Sequence, residues 1–113
     1  WSTKDGEKTE GTQDLNTGSL TLELTPTKRD VFVQMAAIHF SGSVTQTAVI
    51  SLVSPTGANY TFQLDSTSVT SAEYVYNPAK PILVPSGWTF RMTCTNGTTP
   101  AIISYAAILY QKR

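Results

Sequence analysis

From residue 19 onward, apolar residues return at every second position. Leu20, Leu22 and Leu24 alternate with Thr21 and Glu23, and Tyr60, Phe62 and Leu64 alternate with Thr61 and Gln63. A period of two sends successive side chains to opposite faces of a pleated strand, so each run predicts a strand with one apolar face. Trp88, Phe90, Met92 and Cys94 alternate in the same way with Thr89, Arg91 and Thr93, which predicts that all four face an interior. VFVQMAAIHF at 31–40 is apolar almost throughout and predicts a strand buried on both faces, although QMAA has the composition of one helical turn. Further strands are expected at 45–53, 72–77, 82–84 and 101–111.

Glycine and proline punctuate these runs. Pro55 and Gly57 sit between two strand signatures, where proline fixes φ and glycine supplies a positive φ, as a hairpin requires. The prolines of Asn77-Pro78-Ala79-Lys80-Pro81 lack the ladder N–H and exclude a central strand there. Pro85-Ser86-Gly87 makes a corner into the Trp88 strand, and Asn96-Gly97-Thr98-Thr99-Pro100 makes another turn. No stretch carries a helical apolar period. About eight short strands joined by such turns predict an all-β fold, an antiparallel β-sandwich of jelly-roll type.

Residues 1–18 differ from everything after them. WSTKDGEKTEGTQDLNTG has no periodicity and carries Lys4, Asp5, Glu7, Lys8, Glu10 and Asp14. Such a segment buries too little apolar surface to offset its ordering entropy, so a flexible, extended N-terminal arm is expected over 1–18, ahead of a β-sandwich domain over 19–113. Trp1 is its exception, because tryptophan is enriched at binding hot spots. Trp1 is expected to dock in an apolar pocket of a neighbouring subunit, with Lys4, Asp5, Glu7 and Lys8 along the polar rim.

Charge narrows the function. Eight basic residues balance eight acidic ones. They are scattered, whereas a grip on nucleic acid needs clustered Lys and Arg, so no nucleic-acid partner is expected. No apolar run approaches the roughly 20 residues that span a bilayer as a helix, and no membrane partner is expected. The single cysteine cannot form an internal disulfide, which points to assembly in a reducing cytoplasm.

Candidate chemistry is thin. His39 is the only histidine, where imidazole metal sites use two or three, so no metal or cofactor is expected. Cys94 shares the phase of Trp88, Phe90 and Met92 and should be an inert buried thiol. Asn59-Tyr60-Thr61 and Asn96-Gly97-Thr98 match the glycosylation acceptor pattern and read as turn chemistry. Tyr74, Tyr76 and Trp88 would make a sugar-stacking platform if exposed and coplanar, and core if buried. No catalytic residue is expected, and the chain reads as a non-enzyme.

PILVPSGWTFRMTCTNGTT followed by ISYAAILYQKR resembles small jelly-roll proteins of tailed-phage virions over roughly residues 20–113. The corner departs from their pattern, since PSG carries an extra residue between proline and glycine. The resemblance implies a structural role: a capsid decoration (cement) protein on the virion exterior, assembled in the host cytoplasm. It would bridge subunits of the major capsid protein as a homo-oligomer, dimer or trimer. The alternative is a carbohydrate-binding module of a tail fibre or enzyme, using Trp88, Tyr74 and Tyr76.

Overall fold

The computed structural model describes residues 6–95 and 102–113. Among them nine strands form two antiparallel sheets. They are β1 (Gly6–Asp14), β2 (Leu20–Leu24), β3 (Val31–Phe40), β4 (Gln46–Val53), β5 (Thr61–Val69), β6 (Glu73–Tyr76), β7 (Ile82–Val84), β8 (Thr89–Cys94) and β9 (Ile103–Lys112). One sheet runs β1-β9-β3-β6, with β7 also on β3, and the other runs β2-β8-β4-β5.

The pairings reveal how the chain is wound. β1 lies on β9, β2 on β8, β3 on β6 and β7, and β4 on β5. These are the rungs of one long antiparallel ribbon, folded at the β4–β5 turn and rolled so that alternate rungs fall in opposite sheets. β6 and β7 are two halves of one strand position, interrupted by the Pro78–Pro81 loop that proline keeps out of the ladder. That is the jelly roll, as expected.

The ribbon includes one strand more than the sequence pattern suggested. The arm expected over 1–18 is, from Gly6 to Asp14, a strand paired along its whole length with β9. Its hydrogen bonds come from the ladder, which carries no sequence signature. Its inner face is polar and small because it must pass close to β2: a Cβ on Gly11 would stand 3.1 Å from Leu22 Cδ1. Just beyond the strand, Leu15 is fully buried and its N–H donates to the Ile102 carbonyl at 3.0 Å. Residues 1–5 and the turn expected at 96–100 lie outside the described residues.

Alternation works as expected in β8, where Phe90, Met92 and Cys94 are fully buried and Thr89, Arg91 and Thr93 are not. Trp88, just before the strand, is only half-buried. β3 is buried on one face alone. Val31 and Val33 point inward, then Ala36, Ile38 and Phe40, while His39 on the outer face is exposed. The inward set changes from odd to even numbers because the register with β9 slips between Val33 and Met35. A β-bulge inserts one residue there, within the QMAA stretch.

Two outcomes follow for stability. Phe90→Ala should cost about 3–5 kcal/mol, the usual penalty for emptying a buried phenylalanine site, and a denaturant melt reads it directly. Deleting residues 1–18 removes a rung and uncovers the interior, with the Leu15 burial alone worth about 1.5–3 kcal/mol. The melting temperature should fall by roughly 4–8 °C for each kcal/mol lost, where a free arm would leave it unchanged.

Candidate functional site

Three surfaces carry the side chains of interest. The first is the end of the sandwich where the Ser54–Tyr60 loop meets the Pro85–Gly87 corner. Trp88 N–H donates to the Pro85 carbonyl at 3.0 Å, and Gly87 has φ +90°. A hydrogen-bonded turn with positive φ at its third residue is the type II geometry, which selects glycine. The corner is held from two sides: Gly87 N–H donates to the Pro26 carbonyl at 2.7 Å and Ser86 N–H to Asp30 Oδ1 at 2.8 Å. Asp30 also accepts from Arg113 Nη1 at 3.1 Å through its other oxygen. The facing loop is fixed by Ser54, whose Oγ accepts from Thr56 N–H at 3.1 Å, and by Ser54 N–H donating to the Tyr60 carbonyl at 3.2 Å.

These two fixed loops frame an aromatic surface. Register aligns Leu24, Phe90, Leu52 and Phe62 in one row across the sheet. Phe90 at its centre is buried, whereas Phe62 on the edge strand is 50% exposed. Trp88 stacks on it with ring centroids 6.4 Å apart and an interplanar angle of 16°. Tyr60, 55% exposed, lies two residues before Phe62. The core therefore emerges at this end as Tyr60, Phe62 and the half-buried Trp88. The sequence pattern assigned Tyr60 and Phe62 to an inward strand face and missed that the strand is an edge.

The second surface is a groove of about 490 Å³ on the flank between β5 and β6, lined by Asp65, Thr67, Ser68, Ser71, Glu73, Tyr74 and Tyr76 among others. Tyr74 is buried and donates its hydroxyl to Asp65 Oδ2 at 2.5 Å, an oxygen that also accepts from Thr67 Oγ1 at 3.0 Å. Burial, with the Asp65 hydrogen bond and charge adding to it, pushes the Tyr74 phenol well above its ordinary value. Tyr76 packs on Phe90 with centroids 6.4 Å apart. Tyr74, Tyr76 and Trp88 thus do not form one exposed platform: Tyr74 is core, and Trp88 belongs to the aromatic end.

The third surface is a groove of about 420 Å³ on the opposite flank, lined by Glu7, Thr25, Pro26, Lys28, Arg29, Tyr110 and Lys112 among others. Here lie the described members of the expected arm contact. Glu7 accepts from Lys112 Nζ at 3.0 Å and from Tyr110 OH at 3.0 Å. Those two hydrogen bonds, Lys112 first, hold its carboxyl below the usual carboxylate range. Lys8 pairs with Glu10 at 3.4 Å. Both residues are committed to the β1–β9 ladder, so neither lies on the rim of a free arm. Trp1, Lys4 and Asp5 lie outside the described residues.

The remaining candidates separate in space. His39 stands exposed with Nδ1 3.4 Å from Glu73 Oε1, a cross-strand partner that sequence distance concealed. Cys94 is fully buried, and burial pushes its thiol up to about 11, away from reactivity. Among the described residues, no three His, Cys, Asp or Glu side chains come together as a metal-binding group.

No protein-family model matches the chain, and no curated protein matches it in sequence. Among solved structures it is similar to PirA, with a TM-score of 0.51 and 14% identity over 100% of this chain and 97% of PirA. At that identity the likeness is one of fold. The chain is less similar to the Drosophila NLP core, whose structure bears on pentamer formation and histone binding (TM-score 0.40, 10% identity, covering 90% of this chain and 96% of that one). It also aligns with the virus-like particle of the extra small virus of the prawn Macrobrachium rosenbergii (TM-score 0.35, 18% identity, 93% and 77% covered). At those two scores the likeness says nothing of shared function.

The tyrosines make stability fall at high pH. Tyr74 titrates near 10 when unfolded and higher when folded. Between those values the unfolded chain binds fewer protons, so the Tyr74 contribution to stability is full below about pH 10 and declines above it. Tyr76 and Tyr110 are shifted upward as well, again by burial first. Tyr74→Phe should lower stability at neutral pH by about 1 kcal/mol and flatten the alkaline decline. Chemical melts at neutral and alkaline pH compare the two.

Proposed function

We propose that this chain is a structural virion protein that decorates a phage capsid and bridges neighbouring major capsid protein subunits, docking through its aromatic end. The observation that carries this reading is the exposure of Tyr60, Phe62 and half-buried Trp88 between two hydrogen-bonded loops. Rigid aromatic side chains on a fixed frame bury large area at little entropic cost, which suits an interface hot spot. The jelly roll supports the same reading, since the phage resemblance of PILVPSGWTFRMTCTNGTT and ISYAAILYQKR called for that fold. Balanced charge favours a protein partner over nucleic acid. On this reading the protein is not an enzyme, takes no cofactor, and sits on the capsid exterior after assembly in the host cytoplasm.

We place the contact on the sandwich loops rather than on a free arm, since Glu7 and Lys8 stand on β1 of the β1–β9 ladder. Tyr60→Ala with Phe62→Ala should weaken binding to emptied, expanded capsids at least tenfold, about 1.4 kcal/mol, while the fold loses about 0.5–1.5 kcal/mol with the Phe62–Trp88 stack and stays folded. Co-sedimentation with capsids measures it. Unchanged affinity would remove the aromatic end from the interface. Retention of the wild type on polysaccharide columns, lost in the double variant, would instead make this surface a carbohydrate platform.

A further inference from the structure

Among the described residues the two sheets present four edges, and three are guarded. β1 carries Glu7, Lys8, Glu10 and Asp14, β2 has only five residues and runs into Pro26, and β6–β7 is interrupted by Pro78 and Pro81. Charge, shortness and proline are the devices by which proteins stop an edge from accepting another strand. β5 is different. It runs nine residues, TFQLDSTSV, without proline or lysine. Its one charge, Asp65, is turned across to Tyr74 and Thr67 of its own chain. The register with β4 slips between Ile50 and Ser51, leaving Leu64 as the extra residue of a bulge. Beyond that bulge Asp65–Val69 runs in unbroken register, and Ser66, Thr67 and Ser68 are exposed.

We propose that a second copy of this chain pairs antiparallel with Asp65–Val69, about a two-fold axis at Thr67. The segment is complementary to itself in that register. Thr67 faces the partner's Thr67, Ser66 faces Ser68, and Asp65 faces Val69. Cross-strand Thr–Thr and Ser–Ser pairs are favourable, and no like charges stand opposite each other. The two four-stranded sheets become one continuous sheet through the dimer, an isologous contact that closes after two copies. A charged partner strand would find nothing here to complement. This pairing does not depend on the capsid reading, and it is measured without capsids.

Sedimentation equilibrium of the purified protein should show reversible monomer–dimer exchange. Ser66→Lys with Ser68→Lys places lysines opposite lysines and should weaken the dimer by about tenfold or more, while the thermal melt at concentrations dilute enough to keep both proteins monomeric stays unchanged. Mixing that variant with Ser66→Glu/Ser68→Glu should restore a heterodimer. Thr67→Cys should form a disulfide-linked dimer on oxidation, whereas Thr12→Cys on the guarded edge should not; Cys94 is buried and does not interfere. A wild type that stays monomeric, a lysine variant that dimerises as the wild type does, or equal cross-linking at Thr67 and Thr12 would each overturn the proposal.

Discussion

The fold depends on the pairing of its first strand with its last. β9 is flanked by β1 on one side and β3 on the other, so it is a central strand only because β1 is present. Without β1, β9 would become an edge, and the ribbon would lose the rung that starts its winding. The pairing is reinforced where the inner face is polar: Ser104, fully buried, donates from Oγ to the Gln13 carbonyl at 2.8 Å. A buried hydroxyl without that acceptor would be costly. At the other end of the same ladder, the Glu7 carboxylate takes the Tyr110 and Lys112 donors.

Much of this was legible in the pattern of the chain. Alternation located β2, β8 and the start of β5, and the prolines at 78 and 81 marked the break between β6 and β7. What escaped the pattern was whatever backbone geometry supplies without apolar side chains. β1 offers Glu7, Thr9, Gly11 and Gln13 to the inside, a set that reads as disorder until Gly11 is seen to lie close against Leu22. The bulge in β3 likewise hides from a strict count of two, because one inserted residue shifts the inward set from odd to even.

The candidate site was less legible for a related reason. Period-two alternation says which face a residue occupies but not whether its strand is central or an edge. Phe90 and Phe62 share a row and a face, yet one is sealed by neighbours on both sides and the other is open on one. Trp88 takes its half-exposed place from that difference, stacked on the ring at the open end of the row. The histidine and the cysteine, which attract notice by their rarity, stand apart from this surface and from each other.

Asp30 joins the corner before Trp88 to Arg113, with one carboxylate oxygen for each. Because Gly6 lies opposite Gln111 in the β1–β9 ladder, both ends of the described chain emerge at the aromatic end of the sandwich. A polypeptide continuing from Arg113 would therefore leave the sandwich beside the corner that precedes Trp88. An affinity tag or fluorescent label joined at Arg113 would crowd that corner. The bend at Ser41–Ser43, where the chain crosses between the sheets at the far end of β3, is the place from which a fusion would leave that face unobstructed.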